Sequence, residues 1–124
     1  MPFSGSFEQL CDNIFALSSN IRFVGIISGM GDLVAGGMRE GMQSMEDREN
    51  SSKLYLEFVL RSEMRKDQDA EFGKTVYIFS EREKIKLLTI PLDENLLLVS
   101  FDKLADHTKL INKILDVIKK MTSL

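Results

Sequence analysis

Tryptophan is absent from this sequence, and cysteine and histidine occur once each, as Cys11 and His107. A lone cysteine excludes an internal disulfide framework and fits a reducing compartment. With one Cys and one His, zinc sites built mainly from those residues are excluded. Excess charge is scarce too: 16 basic residues against 19 acidic ones leave a net charge of −3. Such a chain has no strong basic field with which to hold nucleic acid or an anionic membrane. No run approaches the roughly 20 apolar residues needed to span a bilayer. The opening Met-Pro-Phe-Ser-Gly-Ser carries no positive side chain and leads into no signal-type apolar core. These absences predict a soluble, cytoplasmic protein.

What is present suits one domain over residues 1–124. The chain has 124 residues, 44% of them hydrophobic and 28% charged, which is ordinary globular composition and enough for a sizeable core. Ser6 followed by Gln9 has capping-box spacing. Phe7, Leu10, Cys11, Ile14 and Leu17 then recur at helical spacing, so Ser6–Asn20 reads as an amphipathic helix with one buried stripe. Ile21–Ser28 is almost continuously apolar, as a strand covered on both faces would be. Gly29-Met30-Gly31-Asp32 is turn chemistry, and Leu33–Met38 can be the returning strand.

A charged stretch leads into a helix from about Glu46 to Lys66. Leu54, Tyr55, Leu56, Phe58, Val59 and Leu60 cover well over half of its circumference, so it must bury two sides. One side can pack on a sheet. The other needs a partner chain, or further helices of the same chain. After Gly73 come three strand-like runs, Lys74–Ser80, Lys84–Ile90 and Leu96–Phe101, with Pro91 and Asp93-Glu94-Asn95 in the last gap. Gaps this short join antiparallel neighbours. His107–Met121 closes the chain as a helix with a single apolar stripe, which Asp106 can cap.

The predicted order is helix, two strands, helix, three strands, helix. It makes an α+β, three-layer α/β/α sandwich on an antiparallel sheet of about five strands. The first and last strands, the most apolar, should be central neighbours. The outer helices should share one face, with the middle helix on the other.

Element order and lengths resemble the roadblock/dynein light-chain family, which shares the profilin-like fold with longin domains. The segment IRFVGIISGMGDLVAGGM (Ile21–Met38) is similar to that family's first hairpin, and ENLLLVSF before an amphipathic helix is similar to its last strand and helix. The charged stretch from Arg39 to Lys53 is longer than in a typical member and suggests a divergent, archaeal branch. The resemblance implies no catalysis. It implies dimerisation through the middle helix and the edge strand after it, and a platform or regulatory role toward small GTPases or motor assemblies.

Catalytic chemistry is sparse. Gly29-Met30-Gly31 lacks the third glycine and the immediate helix of a dinucleotide site, and the P-loop pattern is missing. Asp106 and His107 are adjacent and do not face each other on a helix, so a capping or surface role outweighs a catalytic pair. Cys11 lies on a buried stripe and reads as core filler. The mixed-sign clusters at 39–49, 61–71 and 81–84 read as solvated surface, and the seven methionines chiefly as gap fillers. The reading is therefore a non-enzymatic homodimeric interaction platform with no cofactor or metal, scaffolding or regulating a small GTPase. Leu54, Phe58, Tyr77 and Phe79 are expected at the dimer seam. The alternative is a small-molecule sensor with a pocket between the sheet and the middle helix. A third, an enzyme of unknown type, would have to centre on His107.

Overall fold

The computed structural model describes residues 6–44 and 48–122. Helix α1 (Phe7–Phe15) starts as expected, with the Ser6 hydroxyl accepting from the Gln9 amide at 3.0 Å. It buries Leu10, Cys11 and Ile14, and it ends earlier than the apolar spacing suggested. Arg39 supplies part of the reason. Its guanidinium donates to the carbonyls of Phe15 at 2.8 Å, Ser18 at 2.6 Å and Ile21 at 2.8 Å, and it lies over the Phe15 ring. The Phe15 carbonyl, which a longer helix would have bonded internally, is taken up by this side chain instead. The sequence placed Arg39 in solvated surface; the structure makes it the clamp of the first connection.

Strands β1 (Ile21–Ile27) and β2 (Leu33–Met38) form the expected hairpin, and the Ser28 hydroxyl accepts the Met30 and Asp32 amides across its turn. Gly36 has a positive φ of 82°, and a Cβ there would collide with the Val24 carbonyl and come within 2.9 Å of the Cys11 sulfur. Only glycine lets β2 lie this close to α1. Helix α2 (Arg48–Arg65) follows; the start anticipated at Glu46 lies outside the described residues. A 3-10 turn (Lys66–Gln68), one helical turn α3 (Asp69–Phe72) and Gly73, with φ 80°, end the region.

Strands β3 (Ile78–Glu81), β4 (Ile85–Leu92) and β5 (Asn95–Asp102) complete a five-stranded antiparallel sheet in the order β2-β1-β5-β4-β3. β1 and β5 are the central neighbours, as their apolar runs required. Two boundaries differ from expectation. Pro91 lies inside β4, because the connection to β5 needs only Asp93 and Glu94, with Asp93 in the left-handed region at φ 55°. β3 pairs from Ile78 onward, leaving Lys74–Tyr77 outside the sheet. Leu92 and Asn95 close a two-residue turn, so the Pro91 nitrogen faces β3 and offers no donor there. The ladder stops short of it.

Helix α4 (His107–Thr122) is capped by Asp106, whose carboxylate accepts the Lys109 amide. It packs beside α1 on one face of the sheet, over a core containing Val24, Ile26, Leu88, Leu97, Val99 and Phe101. α2 lies on the other face, against Phe23, Ile27, Leu96 and Leu98. This is the three-layer α+β sandwich the element order predicts.

Two outcomes test this core. Replacing Arg39 by Met strands three carbonyls and should cost about 2–3 kcal/mol, read as a lower urea midpoint at unchanged slope. Cys11 is buried beside Glu8 and Asp12, which pushes its thiol from 9.0 up to about 12, burial contributing most. The native thiol should therefore resist disulfide reagents at pH 8. Because the folded value is raised, its contribution to stability is complete below about 9 and is lost as pH climbs toward 12. Chemical denaturation across that window measures the loss, and rapid labelling of the native protein would contradict the burial.

Candidate functional site

α2 is apolar on two sides, and the structure covers one of them. On its inner side Tyr55, Phe58 and Val59 meet the sheet, and the Tyr55 ring stands 6.0 Å from that of Phe23. On its outer side Leu56, Leu60 and Met64 are spaced four residues apart and form one line along the helix. Leu60 is 54% exposed and Met64 71%. Among the described residues no other helix of the chain lies over this line. Further along the chain Phe72, at 80%, Val76 and Tyr77 are exposed too, the last two immediately ahead of the edge strand β3. Neighbouring exposed apolar residues in such number mark an interaction surface.

The four residues anticipated for a dimer seam fall in three places. Leu54 and Phe58 are half-buried and point under α2. Tyr77 is exposed ahead of β3. Phe79 lies on the opposite face of the sheet, stacked on His107 with ring centroids 4.4 Å apart. The outward positions Leu56, Leu60, Met64, Phe72 and Val76 were not among the residues expected at the seam, although Leu56 and Leu60 belong to the wide apolar arc read from sequence. The four-residue spacing of the first three was the available signal.

Beneath α2 lies a cleft of about 690 Å³. Its floor is a row in register across the sheet: Met38, Phe23, Ser100, Leu87 and Ser80. Gly25 lies next to this row; a Cβ there would meet the Phe23 ring and Leu33 at 2.7 Å. Its missing side chain is the space those two fill. Leu54 and Phe58 form the roof, and Arg22, Arg61 and Arg82 stand on the walls. Glu57 is the one carboxylate lining the cleft among the described residues, and Arg61 already holds it at 2.8 Å.

The catalytic candidates are placed elsewhere. Asp106 caps α4 and does not orient His107. The His107 Nδ1 instead accepts from Lys86, whose buried ammonium also donates to the Ala105 carbonyl at 2.9 Å. Gly31, at φ 88°, lets the β1–β2 turn press on α2 at Leu56, a packing role with no phosphate cradle. No group of three or more His, Cys, Asp or Glu that could hold a metal occurs among the described residues. No helix among them is long and apolar enough to cross a membrane.

Several solved structures share this arrangement. A roadblock/LC7 domain from Streptomyces avermitilis superposes with a TM-score of 0.68 at 12% identity, over 94% of each chain. The gliding protein MglB from Thermus thermophilus gives 0.71 at 11% identity, over 92% of this chain and 86% of that one. Profilin IA from Acanthamoeba castellanii gives 0.60 at 10%, over 90% and 94%. Identities this low establish the fold, which is the roadblock and profilin-like sandwich. No curated protein sequence matches. A sequence model does match, over residues 4–123, and by it the chain belongs to a family of unknown function, DUF6659.

Proposed function

We propose that this protein is a non-catalytic homodimeric platform that scaffolds or regulates a small GTPase. The observation that carries the dimer is the exposed outer side of α2, with Leu60 and Met64 open and Leu56 partly covered by the β1–β2 turn, together with exposed Val76 and Tyr77. Of the residues anticipated from sequence, Tyr77 belongs to this seam; Leu54 and Phe58 turn under α2 and Phe79 packs on the opposite face of the sheet, so the seam uses α2 by its outer side instead. A two-fold axis beside β3 would pair two edges into one continuous sheet and remove an exposed edge. It would also give the strand-like sequence before Ile78 the neighbour that β4 denies it. The GTPase partner follows from the family resemblance of the hairpin and of the last strand and helix.

Light scattering should find about twice 14.1 kDa at micromolar concentration. Replacing Leu60 by Glu should give a monomer with unchanged circular dichroism. Each buried Leu contributes ~1.5–3 kcal/mol and counts twice in a symmetric pair. A wild-type monomer, or a variant that still dimerises, would overturn the seam. A pull-down from native extract that never enriches a GTPase would remove the partner.

A second reading, a small-molecule sensor, has its own support in the cleft between α2 and the sheet. The two are compatible, since the cleft lies under the helix and the seam above it.

A further inference from the structure

The cleft under α2 has the volume of a ligand site, within the ~300–1,000 Å³ typical of such pockets. It also has a chemistry. Its floor and roof are mainly apolar, with Phe23, Leu87 and Leu98 beside Ser80 and Ser100 below and Leu54 and Phe58 above. Among the described residues its charge is one-sided. Arg61 is satisfied by Glu57, which leaves Arg22 and Arg82 on the walls without a carboxylate there among the described residues. In a chain with net charge −3, this is a local reversal of sign.

The two arginines stand at the same end of the sheet. Arg22 immediately precedes Phe23 where β1 begins, at the irregularity in its pairing with β5. Arg82 closes the turn between β3 and β4 through its amide to the Ile85 carbonyl, and Ile85 is paired with Asp102 at the end of β5. The Asp102 carboxylate, at that end, accepts the Leu104 amide on its Oδ1 at 3.0 Å and does not line the cleft.

Arg22 is the most telling group. Its Nε is buried with no hydrogen-bond partner, and one terminal nitrogen reaches only the Gln43 carbonyl, at 3.4 Å. A buried N–H with no acceptor is costly, and such groups are rare in folded proteins. A guanidinium presents its Nε and one Nη side by side, in the geometry that grips a carboxylate with two parallel bonds. The floor adds Ser100, a buried hydroxyl in a strand otherwise apolar from Leu96 to Phe101.

We infer that this cleft binds a small amphipathic carboxylate, its apolar body between Phe23, Leu54 and Phe58 and its head group on Arg22, with Arg82 at the same end. The inference rests on the sensor reading and is independent of the dimer.

Calorimetric titration of the full chain with decanoate, decanol and acetate tests it. Decanoate should bind at least tenfold more tightly than decanol, and acetate should not bind measurably. Arg22→Gln should weaken decanoate at least tenfold and leave decanol unchanged, with the melting temperature and the light-scattering mass retained. Arg82→Gln should weaken decanoate by a smaller factor. Equal affinity for decanoate and decanol would overturn the carboxylate while keeping a sensor of neutral ligands. Binding of neither would remove the sensor reading as well. Decanoate binding that is indifferent to both substitutions but lost in Leu60→Glu would place the ligand in the seam, against the proposal.

Discussion

A sheet whose central strands are apolar on both faces has to be covered twice, and this requirement organises the whole molecule. β1 and β5 present Val24, Ile26, Leu97, Val99 and Phe101 to one side and Phe23, Ile27, Leu96 and Leu98 to the other. Two helices, α1 and α4, close the first side, each with a single apolar stripe and a polar back. A single helix, α2, is left for the second. It reaches across that face through Tyr55, Phe58 and Val59, and aromatic side chains are long enough to keep helix and floor apart. The cleft is what such incomplete coverage leaves.

The same helix carries the second consequence. α2 is apolar where it meets the sheet and apolar again on its outer line, and the chain's own sheet covers only the first. A buried helix in a larger protein has this pattern because neighbours surround it. Here the chain contains no further element to supply them among the described residues, and Val76 and Tyr77, ahead of the β3 edge, are exposed as well. A helix face and a strand edge are thus both left unfinished. Each ordinarily calls for protein: apolar surface for apolar surface, and free backbone N–H and C=O for another strand.

Much of this was legible in the sequence because the signals were local and redundant. The Ser6 and Asp106 caps depend on residues three apart, and the continuous apolarity of Ile21–Ile27 and Leu96–Phe101 marks central strands wherever it occurs. Signals that failed were those whose meaning depends on a distant partner. Lys74–Tyr77 has strand chemistry, but a ladder also needs a donor opposite, and Pro91 withholds it. Lys86 alternates with Ile85 and Leu87 as a solvent-facing residue would. The structure buries it instead, because the Ala105 carbonyl and the His107 ring meet its ammonium. Arg39 looked like part of a solvated cluster and proved to hold three carbonyls from two elements. The cleft itself has no sequence signature, since it exists only in the register that sets Phe23, Ser100 and Leu87 side by side.

Arg39 and Arg22 also provide an internal comparison that bears on function. Both are arginines at the same end of the first hairpin, seventeen positions apart in sequence. Arg39 faces the closed side, where carbonyls of Phe15, Ser18 and Ile21 surround its guanidinium at 2.6–2.8 Å and the Phe15 ring covers it. That is how this fold treats a cation it uses for structure. Arg22 faces the open side with its Nε buried and unbonded, beside an apolar floor. The fold gives this guanidinium one long bond, to the Gln43 carbonyl at 3.4 Å, where it gives Arg39 three short ones. The difference follows the layer architecture: the face covered by two helices satisfies its polar groups from within, and the face covered by one leaves donors, volume and apolar surface for something outside the chain.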